Sequence, residues 1–429
     1  MLAHLIVPRG HEKREMIMRF ILKQIKRLAI TGLLLVGVLL AAIPVTYAYM
    51  LARFQAMKQK GTPTGPSNEL AMVEKRDMND VFSRLQEIPF KPLRPLALGL
   101  GKAALNNSFL LFQNTMRATG GRIYPYPPDF EKVVIESFDG TPLGAVMAVH
   151  DDRPRPGLVL SHGFMGSKSD HNIIDSALTA FAGWGFNVLA LDLRNFGESQ
   201  RLSHSPSTPG WKEGEDLLAA ARYLGERPGV TSVGMAGFSM GAGSVMRAAY
   251  MNREYPYLTG GAIAWNGYAD ARRMVEYIST KPEPRDPFFP VYLGFRLMHR
   301  LRLEDMKRYI VDTEILEFFD RPLEEANFME YIERVAAPHC GVSAEECYAN
   351  SSPEEFLADV EVPLLVVHAA DDPVCPPSEM DSLMEIAEDN PNVNVWMLPT
   401  GSHCLFRYYD KNWYESVMRD FFSYWASWD

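Results

Sequence analysis

The stretch that most constrains this chain is Val233-Gly-Met-Ala-Gly-Phe-Ser-Met-Gly-Ala-Gly243. Within it, Gly237-Phe238-Ser239-Met240-Gly241 has the G-x-S-x-G pattern of a nucleophile elbow, in which a serine sits on a sharp strand-to-helix turn. Apolar β-formers precede the turn (Val230, Val233, Met235), and a helix-like run follows it from Ser244 to Met251. A serine in such a turn is held in a strained backbone that only small neighbours tolerate. Gly237 and Gly241 flank Ser239 at two residues on either side, and Gly234, Ala236, Ala242 and Gly243 keep the surroundings thin. A bare G-x-S-x-G also arises by chance as a glycine-rich turn, so its chemistry depends on partners elsewhere in the chain.

The elbow lies in a repeating pattern that begins near Phe130. Val133–Ser137 and Gly144–Val149 read as strands joined through Asp139-Gly140, a hairpin signal. Strands and helices then alternate. Strands are expected over Gly157–Ser161, Asn187–Leu193, the elbow strand, Gly261–Trp265, Leu364–His368 and Asn394–Leu398. Helices are expected over Asp170–Gly183, Glu213–Glu226, Ser378–Glu388 and Trp413–Trp425. Such alternation implies an α/β domain over 130–429 with a mostly parallel sheet covered by helices on both faces. Between about 268 and 353 the alternation stops for roughly 85 residues, too long for a loop, which predicts an inserted helical lid. Within it, Phe288–Tyr309 mixes aromatic and aliphatic residues with arginine and lysine, and reads as a cap helix or a lipid-facing surface.

The 429-residue chain carries a net charge of −10 with no basic stripe, which argues against a nucleic-acid partner. The N-terminal 27 residues are basic (Arg9, Lys13, Arg14, Arg19, Lys23, Lys26 and Arg27 against Glu12 and Glu15). Residues 28–50 carry no charge, and at 1.5 Å per residue they suffice for a hydrocarbon core of ~30 Å. Fewer positive residues follow (Arg53, Lys58, Lys60), so the charge bias predicts a cytoplasmic N-terminus and a translocated catalytic domain. The rival reading is a secretory signal cleaved near Thr46-Tyr47-Ala48. Residues 51–129 read as a linker, flexible over 61–67, and a helical preface.

A serine is a poor nucleophile without a base, and in a fold of this kind acid and base follow the serine in chain order at strand ends. Leu364–Ala370 leads into Asp371-Asp372, which leaves two carboxylates as the acid; Asp372 is the choice and Asp371 the alternative. The last strand leads into Gly401-Ser402-His403, where the base belongs. An oxyanion hole needs two backbone N–H donors. Met240 follows the serine at a helix N-terminus. The second donor is expected from Ser161–Gly166, at Phe164 or alternatively Met165.

At these residues the chain resembles the α/β-hydrolase family. The resemblance rests on His162-Gly163, Asp192-Leu-Arg-Asn-Phe-Gly-Glu-Ser199, the elbow, Ala370–Val374 and Gly401-Ser-His403, in that order. Phe318–Ser352, running into Asp371-Asp372, resembles the lid of the YheT-like branch, which includes membrane-anchored lipases. The resemblance covers about residues 130–429 and implies an α/β-hydrolase fold, to which the sequence adds the lid over about 268–353 and, over 28–50, an N-terminal transmembrane helix. It also implies hydrolysis of acyl or lipid esters by Ser239, His403 and Asp372, with no metal or organic cofactor. Acyl transfer or peptide cleavage on the same fold is the enzymatic alternative; a catalytically silent binding protein is the other. Approach of the acid and base loops would also bring Cys375 near Cys404, as a disulfide or as two free thiols. Cys340 and Cys347 form a second possible pair.

Overall fold

A computed structural model describes residues 48–60, 78–92, 126–286 except 152, and 327–426, with isolated positions elsewhere. Met50–Asp429 forms one compact unit, separate from Met1–Tyr49. The run 28–50 lies almost wholly outside the described residues, as do the 61–67 linker and most of Phe288–Tyr309. Among the described residues no helix is long and apolar enough to cross a membrane.

The Asp139-Gly140 turn forms as its composition demands. Gly140 has φ 81°, and Thr141 N–H donates to Asp139 Oδ1 at 3.1 Å. It joins β1 (Glu131–Glu136) to β2 (Pro142–Ala148) in an antiparallel hairpin. The remaining strands are β3 (Arg155–Ser161), β4 (Asn187–Leu191), β5 (Val230–Phe238), β6 (Ala262–Trp265), β7 (Leu364–Ala369) and β8 (Val393–Leu398). β3 and β7 are buried along their whole length, which fits their mainly apolar sequence and coverage on both faces.

The eight strands lie in the order β1-β2-β4-β3-β5-β6-β7-β8. β2 is antiparallel to both its neighbours, and β4 through β8 are parallel. Sheet growth reverses at β3, which has β4 on one side and β5 on the other. Loops leaving the carboxyl ends of β3 and β5 therefore diverge, and such a switch point is where open α/β sheets bind ligands. Ser239 stands at the end of β5, and the His162-Gly163 loop at the end of β3.

The preface is partly core. Residues 50–60 are helical, and Phe54 is fully buried with its ring centroid 6.4 Å from those of both Phe130 and Phe181. Beside it, Arg53 pairs with Asp175 at 2.8 Å and Glu415 at 2.9 Å. The expected linker-and-preface region thus begins as an integral packing element.

β6 and β7 are sheet neighbours, yet almost a hundred residues separate them, so the intervening chain projects from the carboxyl edge. Its described parts include a helix over Ala271–Ser279, capped by Asp270, and another over Ala344–Ser351, capped by Ser343. Phe328–Tyr331 runs into a π-turn over Ile332–Ala336. Met274, Val275, Ile278, Phe328, Ile332 and Tyr348 form a second hydrophobic cluster there, which reaches Val374, Cys375 and Phe164 at the strand ends.

Candidate active site

Ser239 has φ 57° and ψ −121°, a conformation that costs an L-residue on the order of 1–3 kcal/mol and persists only where its surroundings impose it. The surroundings do so here. Ser239 N–H donates to Trp265 O at 2.9 Å, tying the turn to β6. A β-carbon at Gly241 would collide with His162 O, and one at Gly163 would stand 2.9 Å from the Cβ of Ser239. The β3 loop therefore packs directly on the elbow. Met240 opens the helix Met240–Met251, so its N–H has no partner four residues back and lies at the positive end of the helix dipole.

The β3 loop is held by groups the sequence reading did not assign. His162 is buried. Leu193 N–H donates to its Nε2 at 3.1 Å, so that nitrogen carries no proton and Nδ1–H donates to Gly163 O at 2.7 Å. Gly166 N–H donates back to Gly163 O at 3.0 Å, closing a turn in which Met165 has φ 59°. Phe164, in the same turn, packs edge-on against Phe196 and Phe328. Asp192 braces the far side: its buried carboxylate accepts from Lys168 N, Lys168 Nζ and Glu198 N, each at 2.6 Å. Of the two expected donors, Phe164 lines the cavity described below together with Ser239, and Met165 is not among its lining residues.

The adjacent carboxylates do different work. His403 Nδ1 lies 2.9 Å from Asp372 Oδ2 and 3.1 Å from Oδ1. Asp371 turns to the base loop, accepting from the Thr400 hydroxyl Oγ1 at 2.6 Å and from the backbone at Gly401 N (2.9 Å) and Ser402 N (2.8 Å). Burial opposes ionisation of Asp372, but His403, more weakly His368, and the Val374 amide outweigh it and hold its pKa below the ordinary value. Burial likewise opposes a charged His403, but the Asp372 carboxylate overrides it and holds the imidazole pKa well above the ordinary value. Nδ1–H faces the carboxylate, which leaves Nε2 to take a proton. Among the described residues no hydrogen bond joins Ser239 Oγ to His403; bonds of this type often tighten only when substrate binds.

Asn266 was not singled out from the sequence. Its buried side chain donates to Asp372 Oδ2 at 2.8 Å. An asparagine just past a strand is ordinary punctuation, and its partners come from loops more than a hundred residues away.

All four cysteines are free, so neither of the bridges considered is formed. Cys375 is buried, and burial pushes its thiol up to about 12. Ligand atoms of Asp372, Cys375 and His403 lie within 4.8 Å of one another. Two of the three are already joined in the carboxylate–imidazole hydrogen bond, so the cluster is an acid–base pair with a thiol beside it.

A cavity opens at the elbow, with Ser239 in its wall. Its wall is almost wholly apolar, with Phe164, Met240, Met274, Ile278, Phe328 and Val374 among the residues that line it. The tyrosine hydroxyls in its wall are engaged: Tyr331 OH accepts from Asn195 Nδ2 at 2.8 Å and Ser207 N at 3.1 Å, and Tyr268 OH donates to Pro209 O.

A strained serine between strand and helix, at the carboxyl edge of a sheet with this strand order, puts the chain in the class of α/β hydrolases. Residues 158–411, more than half of the chain, match the model of the Alpha/beta hydrolase family, and the chain belongs to that family. It is 24% identical over 337 residues to a candidate esterase of Synechocystis sp., slr0264, covering 73% of this chain and 86% of that protein. It is 32% identical over 101 residues to the thiohydrolase aneE of Aspergillus aculeatus, covering 23% of this chain and 31% of that one. Among solved structures it is similar to the Pyrococcus furiosus esterase Pf2001, at a TM-score of 0.47 and 17% identity over 71% of this chain and 98% of that one.

Proposed function

We propose that this hydrolase is a membrane-anchored serine esterase that cleaves carboxylic esters with apolar acyl groups. The observation that carries the reading is the position of Ser239: a strained, cavity-lining serine on the same strand edge as the Asp372–His403 pair. His403 Nε2 takes the proton of Ser239 Oγ as the oxygen attacks the ester carbonyl. Asp372 holds the ring in the tautomer with Nδ1–H and stabilises the imidazolium. The N–H groups of Met240 and Phe164 receive the developing oxyanion. The imidazolium then protonates the leaving alkoxide, and water, deprotonated by the same histidine, releases the acid. The esterase name of the Synechocystis relative supports ester chemistry. The apolar cavity wall supports an aliphatic or aromatic acyl group.

The uncharged run 28–50 behind a basic flank supports a single-pass anchor with a cytoplasmic N-terminus and a translocated catalytic domain. Retention in membranes after an alkaline carbonate wash, with protease sensitivity only once the outer barrier is opened, is the expected result; protection there would contradict that orientation.

The test of the chemistry is hydrolysis of p-nitrophenyl esters of rising chain length by the full chain in detergent. The expected kcat/KM rises from acetate towards medium-chain acyl groups and is lost in Ser239→Ala. A flat series contradicts the apolar acyl site, and turnover by the variant contradicts the nucleophile.

A further inference from the structure

Asn266 is the first residue after β6. It is fully buried, with φ 50°, and its N–H extends the sheet by donating to Val367 O at 2.8 Å. That backbone fixes the carboxamide between two loops. Nδ2 has two hydrogens and both are used, one on Asp372 Oδ2 at 2.8 Å and one on Ser402 O at 3.0 Å. Oδ1 accepts from Cys404 N at 3.1 Å. One side chain therefore grips the acid and the backbone on both sides of His403. Ser402 and Cys404 both have positive φ, 48° and 58°, which residues with a β-carbon keep only when neighbours impose it.

We infer that Asn266 is a positioning residue for the acid–base pair: it sets the approach of the His403 ring to Asp372 and shares the carboxylate's charge, without touching substrate. The inference rests on the Ser239–His403–Asp372 reading. The site requires two donors and one acceptor from one short side chain, and a carboxamide supplies them. An aspartate there would keep the Cys404 contact. It would also set lone pairs against Asp372 and Ser402 O and add a second negative charge beside the pair. An alanine would leave Cys404 N–H unpaired and Asp372 with one donor fewer.

The test is kinetic, on Asn266→Asp and Asn266→Ala in the full chain, with folded protein quantified by thermal melting. Both variants are expected to lose about 10²-fold in kcat, the scale of an ångström-sized misplacement, with KM changed by less than about threefold. In Asn266→Asp the added charge favours the imidazolium, so the acid limb of kcat/KM should move to higher pH. The other titratable neighbours of the pair are His368 on β7, Cys375 in the acid loop, Cys404 in the base loop and Tyr277 from the lid helix. They are the same in every variant, so the shift reports residue 266. Loss of activity only in proportion to loss of folded protein, with the limb unmoved, would overturn the inference. If Asn266→Asp does not fold, the kcat-against-KM split of Asn266→Ala decides alone, and a normal kcat there overturns it. Ser239→Ala is run alongside: full turnover by that variant would mean the underlying reading has failed, whereas an inactive Ser239→Ala beside normal Asn266 variants would sink the positioning role alone.

Discussion

Gly163 lies against Ser239 so closely that a β-carbon on it would stand 2.9 Å from the serine Cβ and 3.0 Å from Phe238 O. The loop after β3 and the turn after β5 thus touch backbone to backbone, with no side chain between them. The proposed oxyanion donors, the amides of Phe164 and Met240, follow directly on Gly163 and Ser239 respectively. Gly163→Ala is expected to lower kcat/KM by about 10²-fold through displacement of that loop. Its far-ultraviolet dichroism should match the parent. A variant as active as the parent would show that the close approach has no catalytic consequence.

The two neighbouring aspartates predict unequal effects. Asp372→Asn removes the charge that orients and stabilises His403, and kcat should fall by ~10⁴-fold, as for a triad acid elsewhere. Asp371→Asn weakens three bonds to the base loop, two from backbone N–H groups and one from the Thr400 hydroxyl, but leaves an acceptor oxygen in place. Its loss should be about tenfold, the scale of one weakened charge-assisted bond. Steady-state kinetics of the pair checks this, and the reverse ranking would reassign the acid.

The pH profile follows from the charges around His403. The base works only when neutral. The attraction of Asp372 for the imidazolium exceeds the burial penalty, so the folded pKa is raised and activity is lost as pH falls through that raised value. The acid limb of kcat/KM, which reports the free enzyme, should therefore lie above the ordinary histidine value of 6.5. In Asp372→Asn the attraction is gone and burial remains, so the limb should move below that of the parent. A parent limb below 6.5 would contradict the raised pKa.

The helix over 50–60 yields a stability prediction. Phe54 is fully buried among Phe130 and Phe181, so Phe54→Ala should cost about 3–5 kcal/mol in denaturant unfolding. A chain beginning at residue 61 should be markedly less stable than one beginning near residue 48. A loss below about 1 kcal/mol would show that this helix is peripheral.

Much of the fold was legible because its signals are local. The Asp139-Gly140 turn, the buried strands and the glycines around Ser239 each announce themselves within about ten residues. The serine, histidine and acid candidates were legible for a related reason: each follows an apolar strand, and parallel strands end on one edge. What could not be read depends on lateral order. Placement of β4 outside β3 creates the crevice, yet no single stretch encodes it. Both aspartates face the loop after β8, and their division of labour is set by which one meets the His403 ring and which one meets Thr400–Ser402. Asn266 acquires its partners only because β6 lies between β5 and β7. The helix over 50–60 sits behind an uncharged run and ahead of a proline- and glycine-rich stretch, so its core residue Phe54 read as part of a linker.

The central claim, that Ser239 is the nucleophile activated by His403, is tested most directly by labelling the full chain with a fluorophosphonate and mapping the modified peptide by mass spectrometry. Near-stoichiometric modification at Ser239, none in Ser239→Ala, and strongly slowed labelling in His403→Ala are expected. An unlabelled protein that nevertheless hydrolyses esters, or a label on another residue, would contradict it.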